Sequence, residues 1–138
     1  MKISRRDWAF LLPAVAAAQT PAETLPTKVY HSSKIPYSGD DKKKGRQFFH
    51  GPQHTGFNLE SHETILGAGT QTHAPHKHEH EEIVIVVEGT AEVYNEGATE
   101  IAETGSVIYC GSNQMHSVRN VGTTPLRYYV VELRGREA

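Results

Sequence analysis

The sequence predicts an all-β protein, an antiparallel sandwich or small barrel, on three observations. From Phe48 onward, short segments rich in β-branched residues recur at the spacing of about 8–12 residues expected of such folds. Turn chemistry separates them, as at Gly67-Ala68-Gly69, Asn95-Glu96-Gly97 and Gly111-Ser112-Asn113. No helical periodicity of useful length occurs beyond the first 18 residues. At 138 residues the chain supports one domain with a core of its own. A single cysteine, Cys110, excludes an internal disulfide framework, and the net charge of −2 carries no basic footprint for nucleic acid.

Residues 1–18 have the architecture of an export signal. Lys2, Arg5 and Arg6 precede an alanine-rich apolar run, Ala9 to Ala18, that ends in Ala16-Ala17-Ala18. Ser4-Arg5-Arg6-Asp7-Trp8 resembles the twin-arginine signal, so the expected compartment is the periplasm. The run is too short to span a bilayer, and no membrane span is expected after cleavage. Loss of Lys2, Arg5, Arg6 and Asp7 leaves 11 basic against 15 acidic residues, a net charge of −4. Residues 19–47 read as an arm, with three prolines, the run Asp40-Asp41-Lys42-Lys43-Lys44, and a short strand near Lys28 to His31.

Residues 48–135 form the expected β-domain. Strands are predicted over 56–66, 82–88, 90–94, 99–102, 106–110, 116–120 and 126–133. In the 82–88 strand, Val84 and Val86 share the side of Glu82, while Ile83, Ile85 and Val87 lie opposite. Apolar residues on both faces require cover on both, so the outer face should meet a partner sheet, the arm or a second subunit, and a homodimer is expected.

Five of the nine histidines fall between His62 and His80, in a segment that runs directly into this strand. In an extended chain His76, His78 and Glu82 project to one side. Imidazole and carboxylate together suit one divalent transition metal such as manganese, iron, zinc or nickel. Glu81 is the rival carboxylate, because one residue of slip exchanges the faces. His80 shares the ligand parity and is also a candidate proton shuttle, since imidazole titrates near neutrality. His116 is the candidate fourth ligand. Tyr109 is a second candidate acid or base, and Cys110 reads as a small buried hydrophobe.

Two spaced motifs carry a family resemblance. The first is Gly69, His76-x-His78, three residues, Glu82, six residues, Gly89; the second is Gly105, five residues, Gly111-Ser112-Asn113, two residues, His116, three residues, Asn120. Together they resemble the cupin superfamily, in its compact single-domain form, over residues 56–134. Gly111 and Asn113 stand where the family has proline and glycine, and both keep turn chemistry. The resemblance implies a double-stranded β-helix, or jelly-roll barrel. It also implies one metal held by His76, His78, Glu82 and His116.

Such a site leaves coordination positions for water, dioxygen or two substrate oxygens. The first functional expectation is a metal-dependent dioxygenase, isomerase or hydrolase acting on a small oxygen-bearing molecule, with His80 and Glu82 as catalytic candidates. The His-x-His-x-His order is also similar to small cupins acting on uronic-acid derivatives, where Gln often stands in place of Glu82. The second expectation is a binding module for a sugar-like molecule or a metal, without turnover.

Overall fold

Burial alternates along the last strand, Leu126–Arg134: Leu126, Tyr128, Val130 and Glu132 are buried, and the residues between them are not. That period of two gives the strand an inner and an outer face. The structure is a computed structural model describing residues 23–135. The expected export signal lies outside them.

Among the described residues nine strands follow in order: β1 Ser38–Gly39, β2 Lys43–Pro52, β3 Asn58–Leu66, β4 Glu81–Glu88, β5 Thr90–Asn95, β6 Ala98–Glu103, β7 Val107–Cys110, β8 His116–Asn120 and β9 Leu126–Arg134. A six-stranded sheet of order β1-β2-β3-β9-β4-β7 faces a three-stranded sheet of order β6-β5-β8. All pairings are antiparallel, as a jelly roll requires. The seven strands expected from Gly56 onward are all present, with ends moved by up to two residues.

Strand register stacks the inner face in rows. At the closed end Leu66 pairs with Leu126, and both are fully buried. Above them run Thr64–Tyr128–Val86, then His62–Val130–Val84–Ile108. The next row is Glu60–Glu132–Glu82–Cys110, three carboxylates and a thiol from four strands. Ala91, Val93, Ala102 and Val118 close the core from the opposite sheet. The barrel thus grades from apolar at its base to ionisable at its mouth.

The sheet begins earlier than expected. β2 starts at Lys43, in the run read as solvated arm, and pairs with β3 along its length, with a bulge between Gln47 and Phe49. No strand forms near Lys28 to His31; a 3-10 turn at Ser32–Lys34 follows instead. Glu63, on the outer face and fully buried, explains why the arm lies down there. Arg46 Nε donates to it at 2.5 Å, Tyr37 Oη at 3.0 Å and Arg127 Nη1 at 3.4 Å. Arg46 Nη1 also donates to the Ser32 carbonyl at 2.7 Å, tying the turn to the sheet. Beyond the arm, the outer face of β4, β7 and β9 is uncovered: Val107 is 66% exposed, Tyr109 59%, Leu133 37% and Ile85 36%.

Candidate metal centre

Two chain segments far apart in sequence meet at the barrel mouth through backbone pairing. His76 and His116 form a bridge in which each N–H donates to the other's carbonyl, at 3.1 and 2.9 Å. The turn before β8 is fastened to the same segment, since Asn113 N–H donates to the His78 carbonyl at 2.7 Å. Asn113 adopts φ +58°, the left-handed conformation that asparagine tolerates, as its place in the motif predicts. Gly89 ends β4 at φ +87°, where a Cβ would stand 2.6 Å from the Pro125 carbonyl oxygen. Buried Asn120 closes the second motif by donating to the carbonyls of Leu66, Gly67 and Thr124.

The imidazoles are oriented by one repeated device. His76 Nδ1 lies 3.2 Å from the Ala74 carbonyl, His78 Nδ1 2.8 Å from that of His80, and His116 Nδ1 2.8 Å from that of Gln114. A carbonyl only accepts, so each ring carries its proton on Nδ1 and leaves the Nε2 lone pair free. Fixing the tautomer through the other ring nitrogen is how metal-binding histidines are usually held. The Nε2 atoms of His78 and His116 are buried without a hydrogen-bond partner.

Glu82 closes the group. Its Oε1 lies 3.0 Å from His78 Nε2 and 3.4 Å from His80 Nε2, and its Oε2 lies 3.6 Å from His116 Nε2. A lone pair facing a carboxylate oxygen at such distances calls for a cation or a proton between them. The residues therefore fit a divalent metal: His76, His78 and His116 offer ligand atoms within 4.8 Å of one another, and so do His78, His80 and Glu82. Glu81 points to the outer face, where it accepts from Tyr109 Oη at 2.7 Å. The carboxylate on the cluster side is that of Glu82. Tyr109, expected beside the site, belongs to that outer face, because odd-numbered residues of β7 point away from the interior.

His80 stacks on His78, with centroids 3.6 Å apart and planes 3° from parallel. Its Nε2 is equidistant, at 3.4 Å, from Glu82 Oε1 and Glu132 Oε2. Burial holds its pKa below the ordinary imidazole value, opposed by the charge of Glu132. His73 sits at the lip and is also lowered, by burial and then by Lys43. The cavity over the cluster has a volume of about 210 Å³ and is walled by His62, Thr72, Tyr128, Val130 and Glu132.

His62 and Glu132 carry no local spacing signal; only the β3–β9–β4 register brings them here. Glu132 also pairs with Arg134, which reaches Glu60 at 3.4 Å. Cys110 is buried on the inner face, and burial followed by the Glu82 charge pushes its thiol up to about 11.

A jelly roll with a histidine–glutamate cluster at its mouth defines a β-barrel protein with a candidate metal centre. This chain belongs to the cupin family: residues 62–132 match the family described as Cupin domain. Among solved structures, KdgF from a Halomonas species superposes with a TM-score of 0.67 at 20% identity, covering 79% of this chain and 96% of that one. A predicted oxalate decarboxylase from Thermotoga maritima gives 0.64 at 21% identity, covering 78% and 99%. The polyketide cyclase RemF from Streptomyces resistomycificus gives 0.65 at 21% identity, covering 82% and 83%. These likenesses establish the shared fold. No curated protein matches the sequence.

Proposed function

We propose that this chain is a periplasmic metalloenzyme that binds one divalent transition metal through His76, His78, Glu82 and His116 and acts on a small oxygen-bearing substrate. The observation that carries it is the convergence of imidazoles whose Nδ1 protons are committed to carbonyls, with Glu82 among the free Nε2 atoms. The bound metal would supply Lewis acidity, or dioxygen activation if it is iron. Val84, Val118 and Val130 give the cavity wall an apolar part, and a lower local dielectric strengthens polar contacts beside it. A cavity of this size restricts the substrate to a small molecule such as a sugar acid, a diketone or an enediol.

His80 Nε2, held between Glu82 and Glu132, is placed to pass a proton from the cluster to the second carboxylate. Neighbours named as a predicted oxalate decarboxylase and as a sugar phosphate isomerase from Silicibacter pomeroyi favour an enzyme among the possible uses of the fold. The proposal includes export, on the sequence of residues 1–18, and a homodimer, on the uncovered outer face. The test is turnover of such substrates by the chain loaded in turn with manganese, iron, zinc and nickel. Turnover that follows metal occupancy and falls in His80→Ala supports the reading. Stoichiometric binding without turnover would make the protein a binding module instead.

A further inference from the structure

We propose that Cys110 is a thiolate ligand of the same metal, so that the centre carries sulfur beside its imidazoles and carboxylate. This rests on the metal reading above and goes beyond it in naming the donor that selects the metal. The β4–β7 register sets Cys110 directly opposite Glu82, and both face the interior. Cys110 Sγ, a Glu82 oxygen and a His116 ring nitrogen lie within 4.8 Å of one another. His116 is the independent pointer: its side chain is 5% exposed, and its Nε2 has no hydrogen-bond partner.

Geometry permits one ion among the three. With Zn–S near 2.3 Å and Zn–N near 2.1 Å, a sulfur and a nitrogen on one tetrahedral ion stand about 3.6 Å apart, so atoms within 4.8 Å of one another need to draw in by at most about 1.2 Å to share it. His116 and Glu82 already belong to the groups that include His76, His78 and His80, so the sulfur joins an existing centre.

The alternative is a small hydrophobe filling space. Its row argues against that, because Cys110 shares it with Glu60, Glu132 and Glu82, whereas Ile108 lies in the row below beside Val84 and Val130. On coordination the S–H bond breaks, its proton leaves to solvent and a sulfur–metal bond forms, with no change of oxidation state. A thiolate favours a softer metal such as zinc over manganese.

The experiment is cobalt(II) titration of the metal-free full-length chain under reducing, anaerobic conditions, followed by absorption. The expected result is a sulfur-to-cobalt charge-transfer band in the near ultraviolet that saturates with metal. In Cys110→Ser and Cys110→Ala the band is lost while cobalt still binds. Cobalt bound by the parent chain without that band, or a band that survives in both variants, overturns the proposal. Absence of cobalt binding overturns the metal reading beneath it, so the two failures are distinguishable. X-ray absorption of the zinc-loaded parent chain needs no variant: a sulfur scatterer near 2.3 Å is expected, and a shell of nitrogen and oxygen alone contradicts it.

Discussion

His76 and His116, 40 positions apart, exchange both of their backbone hydrogen bonds, at 3.1 and 2.9 Å. Their rings stand with centroids 4.7 Å apart as a consequence. The pairing makes the candidate centre a property of the barrel closure itself, because the bridge that joins the two segments also sets the two imidazoles side by side. Disturbing the closure should disturb the metal, and binding metal should strengthen the closure. Ligand binding stabilises the state that holds it by RT ln(1 + [L]/Kd). A saturating divalent metal should raise the thermal midpoint of the parent chain, and should fail to do so in His116→Ala. An equal shift in both proteins would separate metal binding from this site.

Glu63 fastens the arm to the outer face. It is fully buried and receives Arg46, Tyr37 and Arg127. Removing one partner of a buried ion pair strands the other, typically at a cost of about 3–5 kcal/mol. Glu63→Gln should lose a comparable amount in denaturant unfolding and should make the segment around Ser32–Lys34 a site of rapid proteolysis. A change below about 0.5 kcal/mol, the range of an inconsequential surface substitution, would contradict this role.

Tyr128 provides a pH test. Burial raises its pKa above 10.0, and its hydroxyl is hydrogen-bonded to Thr72 at 2.9 Å. In the unfolded chain the phenol ionises near pH 10, while in the folded chain it stays protonated. Over that interval the unfolded state binds fewer protons, so stability falls as pH rises above 10, at up to about 1.4 kcal/mol per pH unit for this group. Below pH 9 the group contributes no slope. Tyr128→Phe should be less stable at neutral pH but should show a shallower decline above pH 10. Parallel profiles would show that Tyr128 ionises alike in both states.

The uncovered outer face bears on assembly. Ile85, Val107, Tyr109 and Leu133 project from three adjacent strands, and β7 is the edge of its sheet. Exposed apolar patches of this kind mark protein contacts. Light scattering of the mature chain should give twice the monomer mass, and Val107→Glu with Tyr109→Glu should reduce it to one. A monomeric parent chain would exclude the dimer.

Much of this fold could be read from the sequence because β3 to β9 are short segments set apart by turns, several of them at Gly or Asn residues that adopt the positive φ those residues tolerate. β2 was hidden because its side chains are half-buried or exposed and the bulge after Gln47 breaks its period. The parity of His76, His78 and Glu82 was legible for the same reason that strands are. Glu132, His62 and the alignment of Cys110 with Glu82 were not, since cross-strand register is not encoded in any local spacing. Tyr109 was misplaced because Cys110, not Tyr109, takes the inner face of β7.

The most direct test of the central claim is elemental analysis of protein purified without added metal. The four compared chains are the parent, His76→Ala/His116→Ala, Glu82→Gln and Glu81→Gln. The account predicts about one divalent transition metal per chain in the parent and in Glu81→Gln, a reduced content in Glu82→Gln, and almost none in the double histidine variant. Equal metal content in the parent and the double variant would contradict it.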